Sequence, residues 1–131
     1  MMRDIENQQD LYYMVDEFYK KLLADTKIAY IFTDVVKVNI QEHLPILVTF
    51  WSQMIFGTGG YTNNLTDIHL NIDRMEHLTP ELFDLWIAHF NETLDENFIG
   101  KNADGIKFQA KNLSIILQIK IKGQQDKSKH L

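Results

Sequence analysis

Apolar side chains recur along this chain at steps of three and four, the period of an α-helix with one buried face. Between Leu11 and Leu23 they fall at positions 11, 14, 15, 18, 22 and 23, with Asn7 and Asp10 placed to cap the start. From Glu42 to Met54, Leu44, Leu47, Phe50 or Trp51 and Met54 share a face. Asn39 followed by Glu42 resembles a capping box that starts this second helix at Ile40 or Gln41. Pro45 then removes a backbone donor just past the first turn, which predicts a bend or a later start beside His43. After a polar loop from Tyr61, Leu65, Ile68, His69 and Ile72 share one side of a short helix. Thr79-Pro80-Glu81 is a strong helix start, and Leu82, Phe83, Trp86, Phe90 and Leu94 line one face of the helix it opens, which ends near Gly100. The last helix is predicted over Asn102 to Ile121, with Ile106, Ala110, Leu113, Leu117 and Ile121 in register. Gly123 should stop it and leave QQDKSKHL as a disordered tail.

The remaining segments add no strands. Ala29 to Phe32 is too brief for a long helix and reads as a turn or single helical turn, with Phe32 plugging the interior. Val35-Val36-Lys37-Val38 is short and flanked by helical signals, so the expected class is all-α, without internal repeats. Gly57-Thr58-Gly59-Gly60 is the only glycine cluster; it ends the second helix and lacks the lysine of a phosphate loop.

Composition narrows the function classes. A length of 131 residues is that of one domain, 1–131, with a short N-terminal extension and a tail from about 123. Eight Phe, five Tyr and two Trp are enough to line a cavity as well as fill a core. A net charge of −5 without a basic helix face argues against nucleic acid. No stretch reaches the roughly 18 apolar residues of a membrane span, and MMRDIENQQD has no signal-type apolar run, so a cytoplasmic protein is expected. Zero cysteines remove disulfides, thiolate metal sites and cysteine nucleophiles, leaving histidine and carboxylates as metal ligands.

Five histidines have to be sorted. His77 beside Glu76, and His89 opposite the Trp86–Phe90 face, read as solvated; His130 lies in the tail. His43 and His69 both face the interior. Either alone could be a core histidine bonded to a backbone carbonyl. As a pair they lack the H-x-x-x-H, H-E-x-x-H and Glu-x-x-His spacings of ion-binding helices. Haem asks less of the protein: the porphyrin supplies four ligands, so one histidine and an apolar aromatic slot suffice. Tyr19, adjacent to Phe18 and about 100° from it around the first helix, has a hydroxyl to place at the core's edge. Trp86 has an indole N–H on an apolar face; both groups could instead bond core carbonyls.

The run EFYKKLLAD at 17–25, IF at 31–32, EHLPILVTFW at 42–51, Tyr61 with His69-Leu70, and LFDLWIAHF at 82–90 resemble the truncated haemoglobins, most closely their group III. The resemblance spans about Leu11 to Ile121, and the glycine-free stretch from Met1 to Phe56 fits that group. It implies a two-over-two helical sandwich holding haem b. His69 matches the proximal iron ligand, Tyr19 the distal tyrosine, His43 the distal-helix histidine and Trp86 the tryptophan closing the distal pocket. Phe32 and Trp51 match haem-packing positions, with Leu47, Phe50 and Tyr61 added to the cofactor wall. The function implied is reversible binding of O₂, with NO, CO or cyanide as further ligands, and NO dioxygenase or peroxidase-like activity needing a reductase partner stays open. Two alternatives remain beside it, a bis-histidine electron-transfer or sensor protein with His43 as sixth ligand, and a cofactor-free helical interaction module. Thr62-Asn63-Asn64-Leu65-Thr66 departs from the family's glycine and proline, so the start of the proximal helix should be built differently.

Overall fold

The computed structural model describes residues 2–129. Five α-helices succeed one another: α1 (Gln8–Ala24), α2 (Ile40–Phe56), α3 (Leu65–Met75), α4 (Pro80–Asn97) and α5 (Lys101–Lys129). Between α1 and α2 lies a π-helical turn, Ile31–Val35, closed by Val36 N–H donating to Ile31 O over 2.9 Å. Among the described residues there is no strand, only an isolated bridge between Arg3 and Phe98.

The caps match the sequence closely. The Asn7 side chain accepts from Asp10 N, that of Asn39 from Glu42 N and that of Thr79 from Leu82 N, as expected. Gly57 ends α2 at φ 68°, a left-handed conformation that glycine adopts without a Cβ penalty. Pro45 neither breaks α2 nor delays its start: the helix runs unbroken from Ile40, and Thr49 Oγ1 donates to Pro45 O at 3.0 Å.

α1 and α2 pack together, as do α4 and α5; α1 also crosses α4, α2 crosses α5, and α3 lies against α5. This is the expected two-over-two sandwich. Its centre is an aromatic stack drawn from three helices: Trp51 of α2 and Trp86 of α4 both stack on Phe90, with centroids 5.3 and 5.2 Å away, and Phe18 of α1 meets Phe90 edge-on at 4.9 Å. Ile5, Leu11, Met14, Leu22, Leu94 and Ile106 are fully buried around it.

Three expectations are corrected. Met54, read as part of the buried face of α2, is 36% exposed. Ile31, not Phe32, plugs the interior at the π-helical turn; Phe32 is half-buried, edge-on to Tyr19. The last helix does not stop near Ile121 but continues through Lys129, so residues 123–129 of the tail expected to be disordered are helical. Beyond Gly123 its amides find acceptors on α3: Gln124 Nε2 donates to Leu70 O (3.1 Å) and Gln125 Nε2 to Asp73 Oδ1 (3.2 Å). His130 lies outside the described residues.

Candidate functional site

Between the helices lies a cavity of about 380 Å³, within the range that small cofactors occupy. Its lining is dominated by apolar side chains from every helix and from the π-helical turn. Tyr19, Phe32, His43, Leu47, Phe50, Trp51, Tyr61, His69 and Trp86, all singled out from the sequence, line this one space. Sequence reasoning missed Ser114 and Asn63. It also assigned Phe18, Leu82, Phe83, Leu113 and Leu117 to the core alone, because helical periodicity marks an inward face without saying whether a wall or a void stands opposite.

The two inward histidines are bonded differently. His69, on the first turns of α3, has Nδ1 2.8 Å from Leu65 O. A carbonyl only accepts, so Nδ1 carries the proton. Burial pushes the His69 pKa below the ordinary range, against a smaller opposing effect of the Leu65 bond. The ring is therefore held neutral with a lone pair on Nε2, which takes no protein partner among the described residues. α3 is aimed by Asn64, whose side chain accepts from Asp67 N at 3.0 Å; an asparagine cap thus starts the helix in the loop 62–66 that the sequence marks as differently built.

His43 is coupled to α1 instead. Its Nε2 lies 2.9 Å from Tyr19 Oη, with the two rings edge to face. Tyr19 is only 6% exposed, so it lies inside the core and not at its edge, and burial raises its phenol pKa. Burial also lowers the His43 pKa, so the pair is neutral. Trp86 is half-buried, and among the described residues no acceptor takes its indole N–H.

Of the other histidines, His77 is exposed as expected, though its Nδ1 sits 3.3 Å from Asp73 Oδ1. His89, read as solvated, is instead half-buried and paired: its Nε2 lies 2.7 Å from Asp25 Oδ2, joining α4 to the end of α1 and holding the Asp25 carboxyl below its usual range. Among the described residues no three His, Asp or Glu side chains cluster as a bare ion would require. The donor set suits a group that brings most of its own ligands: one neutral imidazole nitrogen, oriented through its other nitrogen, on the wall of an apolar cavity.

An all-α two-over-two sandwich around such a cavity is the truncated globin fold. No family profile matches the chain. It is similar to the group 3 truncated hemoglobin ctb of Campylobacter jejuni subsp. jejuni, at 26% identity over 92 residues, 68% of this chain and 70% of that protein. The crystal structure of a group III truncated hemoglobin from Campylobacter jejuni superposes with a TM-score of 0.81 at 22% identity, covering 92% of this chain and 95% of that one. The resemblance to group III truncated haemoglobins holds in both sequence and fold.

Proposed function

We propose that this protein is a haem-binding globin that takes up a diatomic gas, with His69 as the proximal iron ligand. The observation that carries the reading is the His69 ring, kept neutral by burial and fixed through Nδ1 on Leu65 O, with Nε2 left as a lone-pair donor on the wall of the cavity. The name of the group 3 relative points the same way. Bound there, haem would supply an iron that takes O₂, NO or CO when ferrous, or cyanide when ferric. The absence of cysteine excludes thioether attachment, which favours non-covalent haem b. Phe32, Leu47, Phe50, Trp51 and Tyr61, on the cavity wall, would pack against the macrocycle and keep water from it.

Tyr19, His43 and Trp86 line the same cavity and would face a gas bound there. With the proton on His43 Nε2, the imidazole donates to Tyr19 Oη and frees the phenol O–H to donate to a ligand carrying partial negative charge. The Trp86 indole N–H is a second such donor. The same contact weakens the bis-histidine reading, because the nitrogen that would ligate iron is already engaged by Tyr19. Storage, transport, NO dioxygenation and peroxidase-like chemistry would all begin from this arrangement; the redox roles would add a reductase.

Visible absorbance of the purified protein, with and without dithionite and CO, tests the proposal. A Soret band that shifts on reduction and again with CO is expected. Its absence, even after haemin is added, would favour a cofactor-free interaction module. His69→Gly should lose haem and regain it with imidazole added. A low-spin ferrous spectrum without gas, abolished in His43→Ala, would reinstate the bis-histidine alternative.

A further inference from the structure

The last helix carries a charge opposite to that of the molecule. α5 holds seven lysines and two aspartates, a net +5 in a chain of −5, so the remaining residues carry −10. Its outward side also presents an apolar ridge that no other element covers: Phe108, Ile115, Ile116 and Ile119 are 63%, 47%, 49% and 65% exposed. Positions 108, 115 and 119 fall on one line along the helix, opposite the buried Ile106, Ala110, Leu117 and Ile121. Exposed Lys111 and Lys122 flank that line on one side and exposed Lys120 lies beyond Ile116 on the other. None of these three makes an ion pair among the described residues, whereas Lys107, on the flank of α5, is held 2.7 Å from Asp95.

We propose that this ridge docks the protein onto the anionic surface of a phospholipid bilayer. Phe108, Ile115, Ile116 and Ile119 enter the headgroup boundary, and Lys111, Lys120 and Lys122 lie over the lipid phosphates. Charge and shape select this occupant. A second copy docked on the same ridge about a two-fold axis would set two lysine-rich helices face to face, with like charges opposed. A protein partner would have to bring a groove to fit a convex single-helix ridge, whereas a fluid bilayer yields to it. The association is peripheral, since no helix among the described residues is long and apolar enough to cross a membrane. It does not depend on what the cavity holds.

The test is sedimentation of the full chain with phosphatidylcholine vesicles, with and without phosphatidylserine. Binding is expected only with phosphatidylserine present, and it should weaken with salt. Each lysine replaced by glutamine should weaken it roughly fivefold. Ile119→Asp should abolish it while the circular dichroism and the thermal midpoint stay unchanged. Lys120→Glu with Lys122→Glu, which leaves the core untouched, is a second variant expected to lose binding. No sedimentation with anionic vesicles at low salt, or undiminished binding in both variants, would overturn the proposal. So would a concentration-dependent dimer that Ile119→Asp dissolves without any vesicle binding, since the ridge would then belong to a second copy.

Discussion

Tyr19 and His43 share one line of hydrogen bonding between two neutral groups, and which proton lies on that line decides what Tyr19 can offer the cavity. Tyr19→Phe keeps the ring and removes the hydroxyl. It should lower stability by about 1 kcal/mol, a typical net hydrogen bond. If the phenol also donates to the bound gas, stopped-flow should show that gas leaving roughly tenfold faster, the worth of a slightly stronger bond. The buried imidazoles predict a pH dependence. Burial depresses the folded-state pKa of His43 and His69, so below the ordinary histidine range the unfolded chain takes up protons that the native state refuses. Stability of the haem-free protein should therefore be full near neutrality and fall as pH drops below about 6.5, histidine's unperturbed value. Urea unfolding should show a shallower fall in His43→Gln. At this scale the sequence announced both residues, since a phenol and an imidazole at inward helical positions must find partners. That they find each other depends on α1 packing against α2, and nothing in either segment alone specifies that pairing.

Among the elements, α3 and the far end of α5 form one unit. Asp73, one turn beyond His69, is buried and accepts from Leu78 N at 2.9 Å, from Gln125 Nε2 at 3.2 Å and from Gln124 Nε2 at 3.3 Å. The carboxylate thereby ties the end of α3 to the segment leading into α4 and to the last turns of α5. Asp73→Ala leaves the Leu78 N–H buried without its acceptor and should cost about 2 kcal/mol in chemical denaturation. Faster hydrogen exchange at Leu78 would mark the site of the loss. This unit also explains why Gly123 was misread. Gly57 and Gly123 look alike in sequence, but Gly57 takes φ 68° and ends its helix, whereas Gly123 stays helical. A glycine inside a helix costs about 1 kcal/mol relative to alanine, and the amides beyond it offset that cost through contacts with α3 that local pattern does not reveal. The helix starts were legible for the converse reason: their caps lie within three residues of the groups they bond.

Across the whole molecule, the first residues close the far end of the chain. Ile99 N donates to Arg3 O at 3.0 Å, and Arg3 in turn grips Asp10 through both terminal guanidinium nitrogens, Nη1 and Nη2. The Asp4 carboxylate accepts from Asn102 N and Ala103 N, both at 2.9 Å, and so caps α5 from outside the helix. Burial alone would raise the Asp4 pKa, but these donors and Ile5 N hold it below its usual value. Asp10 is lowered as well, chiefly by Arg3. A depressed carboxylate stabilises above its unfolded pKa and loses that effect as pH falls through its folded one, so acid unfolding should begin below about pH 4. Gly100, at φ 145°, touches the same site, and a Cβ there would collide with the Asp4 side chain. Gly100→Ala should therefore lower the thermal midpoint more than Asp4→Ala, which removes a cap worth about 1 kcal/mol. None of this was legible, because a cap supplied from 98 residues away leaves no local spacing to read.

That distant cap has a kinetic meaning. Asp4 is synthesised before α1, yet its acceptor role waits until residues 102 and 103 have emerged, after α1 to α4 are already available to pack. Closing so long a loop is entropically slow unless the intervening helices have first drawn its ends together. The Asp4 clasp is therefore a late event in folding and an early one in unfolding. Its loss should accelerate the unfolding limb of a chevron plot while leaving the refolding limb almost unchanged.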